Sequence, residues 1–213
     1  GLQFSDTEFS AVGEEAFIPA SDISNLGLFG VERFERDRVI LELGMRIDHN
    51  QVDAGRCDTS ESAFSAGASL IYQISDNANW LVGISRAERT PTVEELFSNT
   101  DAASCIRFTD DDALTLHAAT NLIEIGDPNL STETSNNIEA GYRVHAGRMT
   151  GELSAYYNQI DDYIFLDINE EEIEEQRLAG YTARDARFSG FEGNLTINIL
   201  SSQRIGINLG LFG

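Results

Sequence analysis

Along much of the chain apolar and polar residues alternate strictly, and the spacing of an amphipathic helix is hard to find. In 39–48, Val39, Leu41, Leu43, Met45 and Ile47 fall on one face, against Glu42, Gly44, Arg46 and Asp48 on the other. The same period returns in 64–74 with Phe64, Ala66, Ala68, Leu70, Tyr72 and Ile74, and in 137–144 with Ile138, Ala140, Tyr142 and Val144. It returns again in 191–199 with Phe191, Leu195, Ile197 and Ile199, and in 205–211 with Ile205, Ile207, Leu209 and Leu211. Runs with a period of two predict half-buried strands. Segments 23–35, 79–89 and 150–165 alternate less cleanly and 1–9 is extended by context, which brings the expectation to about nine strands. Tight connections fall around Arg36–Arg38, Asp76–Asn79, Gly147–Thr150 and Ser201–Gln203, and longer ones at about 10–22, 52–62, 90–136 and 167–180. Short and long alternate, so a meander places every tight turn on one rim and every long loop on the other.

The polar face is built from Gly, Ser, Asn and Thr with scattered Glu and Arg, where a solvated sandwich face is rich in Lys and Arg. Apolar outer positions, a polar interior, short turns and long loops predict an all-β fold: an antiparallel up-and-down transmembrane β-barrel. The competing architecture is a soluble β-rich adhesin or binding module. Trp80, Tyr72, Phe64, Phe34, Tyr163 and Phe212 stand near strand ends, where interfacial girdles form. An odd number of strands cannot close antiparallel, and an open edge does not persist in lipid. The chain therefore reads as a partial barrel.

Composition removes several functions. With 14 basic and 36 acidic residues the formal charge is −22, the wrong sign for nucleic acid as a partner. No apolar run is long enough for a transmembrane helix, and Gly1 is not followed by the basic and apolar regions of a signal peptide. His49, His117 and His145 lie in separate elements without a catalytic motif around them, so no enzyme is expected.

Two segments carry a family resemblance. Residues 86–97 read Arg-Ala-Glu-Arg-Thr-Pro-Thr-Val-Glu-Glu-Leu-Phe, and residues 125–139 read Ile-Gly-Asp-Pro-Asn-Leu-Ser-Thr-Glu-Thr-Ser-Asn-Asn-Ile-Glu. Together they resemble the TonB-dependent outer-membrane receptors, with Thr132 where many relatives carry Pro; Tyr156–Ile164 is similar to a further strand of that family. The motif residues are Arg86, Arg89, Pro91, Glu94, Glu95, Leu96, Gly126, Asp127, Pro128, Asn129, Leu130, Glu133 and Glu139. Their expected role is mainly structural: Pro91 in the first turn of a short helix capped by Thr90, Glu94 and Glu95 at its positive end, and Gly126–Asn129 as turn chemistry.

The resemblance implies active uptake of a scarce nutrient across the bacterial outer membrane. The partners it implies are the TonB complex of the inner membrane, reached through a plug domain that this stretch lacks, and outer-membrane lipid and lipopolysaccharide. The cargo it implies is a metal ion or metal chelate. A passive porin is the alternative transporter. Phe9–Pro19, Leu28-Phe29 and His117–Thr120 look like the zinc-uptake branch, so zinc is the expected cargo and no other cofactor is required. Imidazole and carboxylate suit zinc; the candidates are His117, His49, Asp110, Asp111, Asp112 and Glu124, with Asp127 nearby. The competing reading is a solvated acidic loop. The acidic run Glu170–Glu175 reads as solvated outer loop. Cys57 and Cys105 fall in neighbouring outer loops, a compartment that permits a disulfide; a bridge requires Cα atoms within about 7 Å.

Overall fold

The computed structural model describes residues 1–13, 16–173, 175–200 and 203–212, with 170–171, 199–200 and most of 203–212 as backbone only. Nine long strands form one antiparallel sheet in sequence order. In chain order they are β1 (Leu2–Phe9), β2 (Ser21–Arg36), β3 (Val39–Ala54), β4 (Cys57–Ser75) and β5 (Ala78–Arg89), then β9 (Glu133–Ala146), β10 (Met149–Ile173), β11 (Gln176–Leu200) and β12 (Gln203–Phe212). Between β5 and β9 the chain builds α1 (Val93–Phe97), the small hairpin β6 (Thr100–Asp101) and β7 (Ile106–Arg107), a 3₁₀ turn at Asp111–Ala113, and β8 (Ile123–Ile125).

Register shows why the alternation was so regular. One row of opposed residues reads Phe34, Leu41, Leu70, Val82, Ala140, Ala155, Phe191; the next toward the long-loop rim reads Leu43, Ala68, Ile84, Ile138, Tyr157. Directly opposed residues share a face, so these rows make one continuous apolar surface that includes Val39 and Ile197. The opposite face carries Arg33, Glu42, Ser69, Gly83, Glu139 and Tyr156 in a single row, together with Arg46, Glu192 and Asn194. Its charges pair across strands: Arg33 with Glu42 at 2.9 Å and Arg143 with Glu152 at 2.9 Å.

Among the described residues no second sheet covers the apolar face. Ile84 and Ile138 remain 56% and 52% exposed, a continuous apolar surface whose natural solvent is hydrocarbon. The described residues thus form a single curved ladder and not the two packed sheets of a sandwich. Tyr72, Trp80 and Tyr142 stand in one row near the tight-turn rim, Trp80 and Tyr142 with ring centroids 5.2 Å apart, as an interfacial girdle requires. Phe212, also expected in a girdle, and Ile199 have side chains outside the described set, as does the turn near Ser201 and much of the run Glu170–Glu175.

Two connections differ from expectation. Among the described residues, segments 52–62 and 167–180 are strand up to their tight tips: β3 and β4 stay paired to Ala54 and Cys57, and β10 and β11 to Ile173 and Gln176. Strands of 16, 19 and 25 residues are longer than the roughly 9–11 that cross a bilayer. The excess projects as hairpins beyond the apolar band, where lipid no longer dictates one face; there Val52, Ala54 and Cys57 are buried against the segment that joins β5 to β9, and Leu178 and Ala179 beside β8.

Placing a charge on the apolar row is expected to be costly. Ile84→Arg loses about 2–4 kcal/mol of folding free energy at mid-membrane depth, whereas Ser85→Arg, on the polar face of the same strand, is tolerated. Folding of the intact barrel into vesicles, followed by heat-modifiable gel migration, measures both.

Candidate functional site

The segment between β5 and β9 is a folded cap on the long-loop rim. Its start is α1, whose N-cap is Thr92: the Thr92 hydroxyl accepts from the Glu95 amide at 3.2 Å, and Glu95 Oε2 accepts from the Thr92 amide at 2.7 Å. This capping box corrects the expected cap at Thr90, whose hydroxyl instead accepts from Asn50 Nδ2 at 2.5 Å. Pro91, expected in the first helical turn, instead precedes the N-cap, where it biases Thr90 toward an extended conformation. Glu94 and Glu95 occupy the first turn as expected.

The motif residues tie the cap to the barrel. Arg89 grips Glu95 with both terminal nitrogens, at 2.8 and 3.2 Å, and reaches Glu133 at 3.1 Å. Glu133 also accepts from the Ile164 amide at 3.0 Å, so one charged cluster joins the ends of β5 and β9, α1 and β10. A Cβ on Gly126 would lie 2.5–2.6 Å from the Leu96 carbonyl and the Phe97 nitrogen; only glycine permits the Gly126 and Asp127 amides to donate to Ser98 and Glu95 carbonyls at 2.9 and 3.0 Å. Pro128 and Asn129 form the turn that follows, and Asp127 Oδ1 caps it by accepting from the Asn129 amide at 2.9 Å. Leu130 packs against a small core of Val52, Ala54, Cys57, Leu96 and Phe97. Arg86 pairs with Glu88 at 2.7 Å, and Glu139 stands in the polar row beside Gly83.

Three further attachments fix the cap. Cys57 and Cys105 form a disulfide with Cα atoms 5.0 Å apart, closing a loop worth about 4 kcal/mol in the chain-entropy account. Asn99 donates its amide to the Phe17 carbonyl at 2.6 Å, which draws in the β1–β2 connection. On the far side β8 pairs in parallel with Leu178, Ala179 and Gly180 of β11.

Where β8 meets β11, Glu94, His117 and Glu124 converge, with one ligand atom from each lying within 4.8 Å of the others. Glu124 is 1% exposed. Its Oε1 accepts from Thr120 at 2.6 Å and lies 2.8 Å from His117 Nδ1; its Oε2 accepts from the Tyr181 hydroxyl at 2.9 Å. Burial works to raise the Glu124 pKa, but the hydrogen bonds from Thr120, His117 and Tyr181 outweigh it and hold the carboxyl below its ordinary value. The ring of Phe17 covers His117 with centroids 4.5 Å apart.

Of the residues expected to ligate a metal, the structure brings His117 and Glu124 together and adds Glu94, whose expected role was mainly structural. It does not gather the others. Asp110, Asp111 and Asp112 are exposed, and Asp110 caps the 3₁₀ turn. His49 lies on the apolar-face parity of β3, with its ring against Ser62 and Ser60 at 3.1 and 3.4 Å. Asp127 is committed to its own turn. His145 sits at the tight-turn rim, 3.0 Å from the Thr150 hydroxyl. Tyr181 had no signal in the sequence; only the fold brings it to the cluster.

A family model described as "TonB dependent receptor-like, beta-barrel" matches residues 2–213. Solved structures with similar architecture include a Serratia marcescens hemophore receptor, HasR, crystallised as a double mutant with its hemophore HasA and heme. It is 16% identical, with a TM-score of 0.72 over 95% of this chain and 36% of that one. The copper transporter OprC gives 18% identity and a TM-score of 0.69 over 91% of this chain and 30% of that one. The siderophore receptor PirA from Pseudomonas aeruginosa gives 14% and 0.57 over 91% and 43%. The chain thus spans less than half the length of each.

Two outcomes follow from this geometry. Gly126→Ala should destabilise the cap by about 1–3 kcal/mol through overpacking, while Gly180→Ala, with open space at its Cβ, should not; amide exchange across α1 measures the difference. The depressed Glu124 pKa contributes stability that is fully present above the ordinary value of 4.5 and is lost as pH falls through the lower folded value. Protection of Leu178–Gly180, corrected for intrinsic exchange, should therefore persist at about pH 5 and fail only in stronger acid.

Proposed function

Because the chain belongs to the TonB-dependent receptor β-barrel family, a family of outer-membrane transporters and not enzymes, we propose that it is the wall and part of the outer mouth of a receptor for active metal uptake, with zinc as cargo. The convergence of Glu94, His117 and Glu124 carries this reading. One imidazole and two carboxylates form a borderline donor set that zinc accepts, and three protein ligands leave its fourth position open. Ligand atoms around tetrahedral zinc stand about 3.4 Å apart, so the cluster needs a modest closure to hold the ion.

Two features favour a free cation over an anionic chelate. The formal charge is −22, and Asp53, Asp58, Glu61, Asp101 and Asp110–Asp112 place much of it on the cap rim, where it raises the local concentration of cations. Copper(I) is less well served, since its preferred thioether donors are limited to Met45, on the apolar face, and Met149, beside a tight turn. In the intact receptor a plug inside the barrel would be pulled by TonB at the expense of the inner-membrane proton gradient. Lipid and lipopolysaccharide would surround the apolar rows.

Uptake of radioactive zinc by zinc-starved cells expressing the intact receptor tests the reading. His117→Ala is expected to lower uptake by about tenfold, the cost of one lost ligand with a charged partner left buried, and removal of TonB to abolish it. Unchanged zinc uptake in His117→Ala would remove zinc as the cargo of this site, and uptake independent of TonB would identify a passive pore.

A further inference from the structure

The candidate ligands already hold something in the place of an ion. The Tyr181 hydroxyl lies 2.9 Å from Glu124 Oε2 and 3.3 Å from Glu94 Oε1, between two of the three ligand groups. We propose that Tyr181 is a placeholder: its hydroxyl keeps the empty site in shape and must be displaced when a divalent cation binds, which releases a link between the cap and β11. This rests on the reading of Glu94, His117 and Glu124 as a capture site.

Hydrogen-bond arithmetic supports it. Glu124 Oε1 is taken by Thr120 and His117, and Oε2 by Tyr181, so the buried carboxylate has a donor on each oxygen. The lone pair left over is on Oε2, beside the Tyr181 hydroxyl, and a cation settling there between Glu124 and Glu94 takes the space the hydroxyl fills. A phenol has a single proton, so Tyr181 serves one carboxylate and leaves the other facing its lone pair, an arrangement that a cation between the two carboxylates improves. The neutral phenol oxygen is not among the usual donors to zinc.

Displacement has a mechanical consequence. Among the described residues, the cap meets β11 through the Tyr181 contacts and the three-residue ladder of β8 with Leu178–Gly180. The opposite side is held by the disulfide and the Leu96–Phe97 core. Losing the hydroxyl contacts loosens the cap on the β11 side only, so capture of the ion and freeing of the mouth become one event.

The intact receptor carrying Tyr181→Phe, which keeps the ring and removes only the hydroxyl, is the test, with zinc affinity measured by competition against a chelator of known strength. Removing one hydrogen bond to a carboxylate from the empty state should tighten zinc binding by about tenfold. Amide exchange at Leu178–Tyr181 should rise on adding zinc to the wild type, and should already be high without zinc in Tyr181→Phe. Unchanged or weaker binding in Tyr181→Phe, alongside lost binding in His117→Ala, would overturn the placeholder and leave the capture site standing. Binding untouched by His117→Ala would overturn both.

Discussion

Hydrocarbon offers no partner to a backbone amide or carbonyl, so every strand inside the bilayer must satisfy its backbone against its neighbours. The ladder here obeys that rule through eight consecutive antiparallel pairings from β1 to β12. Much of the rest depends on it. Antiparallel pairing fixes which residues share a face, and lipid on one side then requires apolar residues at every second position across the whole row. Irregular backbone is confined to the rims, as the bulge in β10 illustrates: the register slips between Ile160 and Tyr163, with Asp162 at a φ of 55°, level with the Glu133 attachment and not with the apolar rows.

Beyond the lipid that constraint lifts, and the cap must be ordered by other means. Its apolar core is small, so covalent and charged ties carry more of the load: the Cys57–Cys105 bridge, the Arg89 grip on Glu95 and Glu133, and backbone contacts through Gly126 that a side chain would obstruct. The two halves of the sequence motif, separated by the length of the cap, meet in space because Glu95 binds Arg89 before it and takes the Asp127 amide after it. The motif residues thus stand at the two ends of the cap, where it joins the barrel.

The same boundary explains what was legible in the sequence. Strands 39–48, 64–74 and 137–144 announced themselves because lipid on one face permits few exceptions to alternation. The hairpin tips 52–62 and 167–180 looked like loops because they lie beyond the lipid, with one face partly under the cap and the other in water, so a strand such as Cys57-Asp-Thr-Ser-Glu-Ser has polar residues on each. Thr90 and Thr92 are equivalent as cap residues until Glu95, three beyond Thr92, selects the second. His117 and Glu124 were legible as a metal-binding residue pair within one loop. Glu94 was noticed for its place on the helix dipole, but its contact with the cluster depends on tertiary placement, as does that of Tyr181. His49 shares the rim by strand position, yet its parity directs it to the other face.

The cluster also occupies a place where a local event has leverage. The cap is held on the β4 side by a covalent bond and a packed core, neither of which a small ion can perturb. On the β11 side it is held by three backbone pairings and by the Tyr181 hydroxyl on Glu124 and Glu94, while the Thr120 and His117 hydrogen bonds to Glu124 stay within the cap. Those hydrogen bonds are strong because Glu124 is shielded from water, and for the same reason a divalent cation, whose charge the carboxylate meets without competing solvent, is the kind of ligand able to replace them. A site built around exposed Asp110–Asp112 would bind cations weakly and move nothing. In the proposed site, the carboxylate under the cap, against β11, would serve both the capture of the ion and the attachment of the cap.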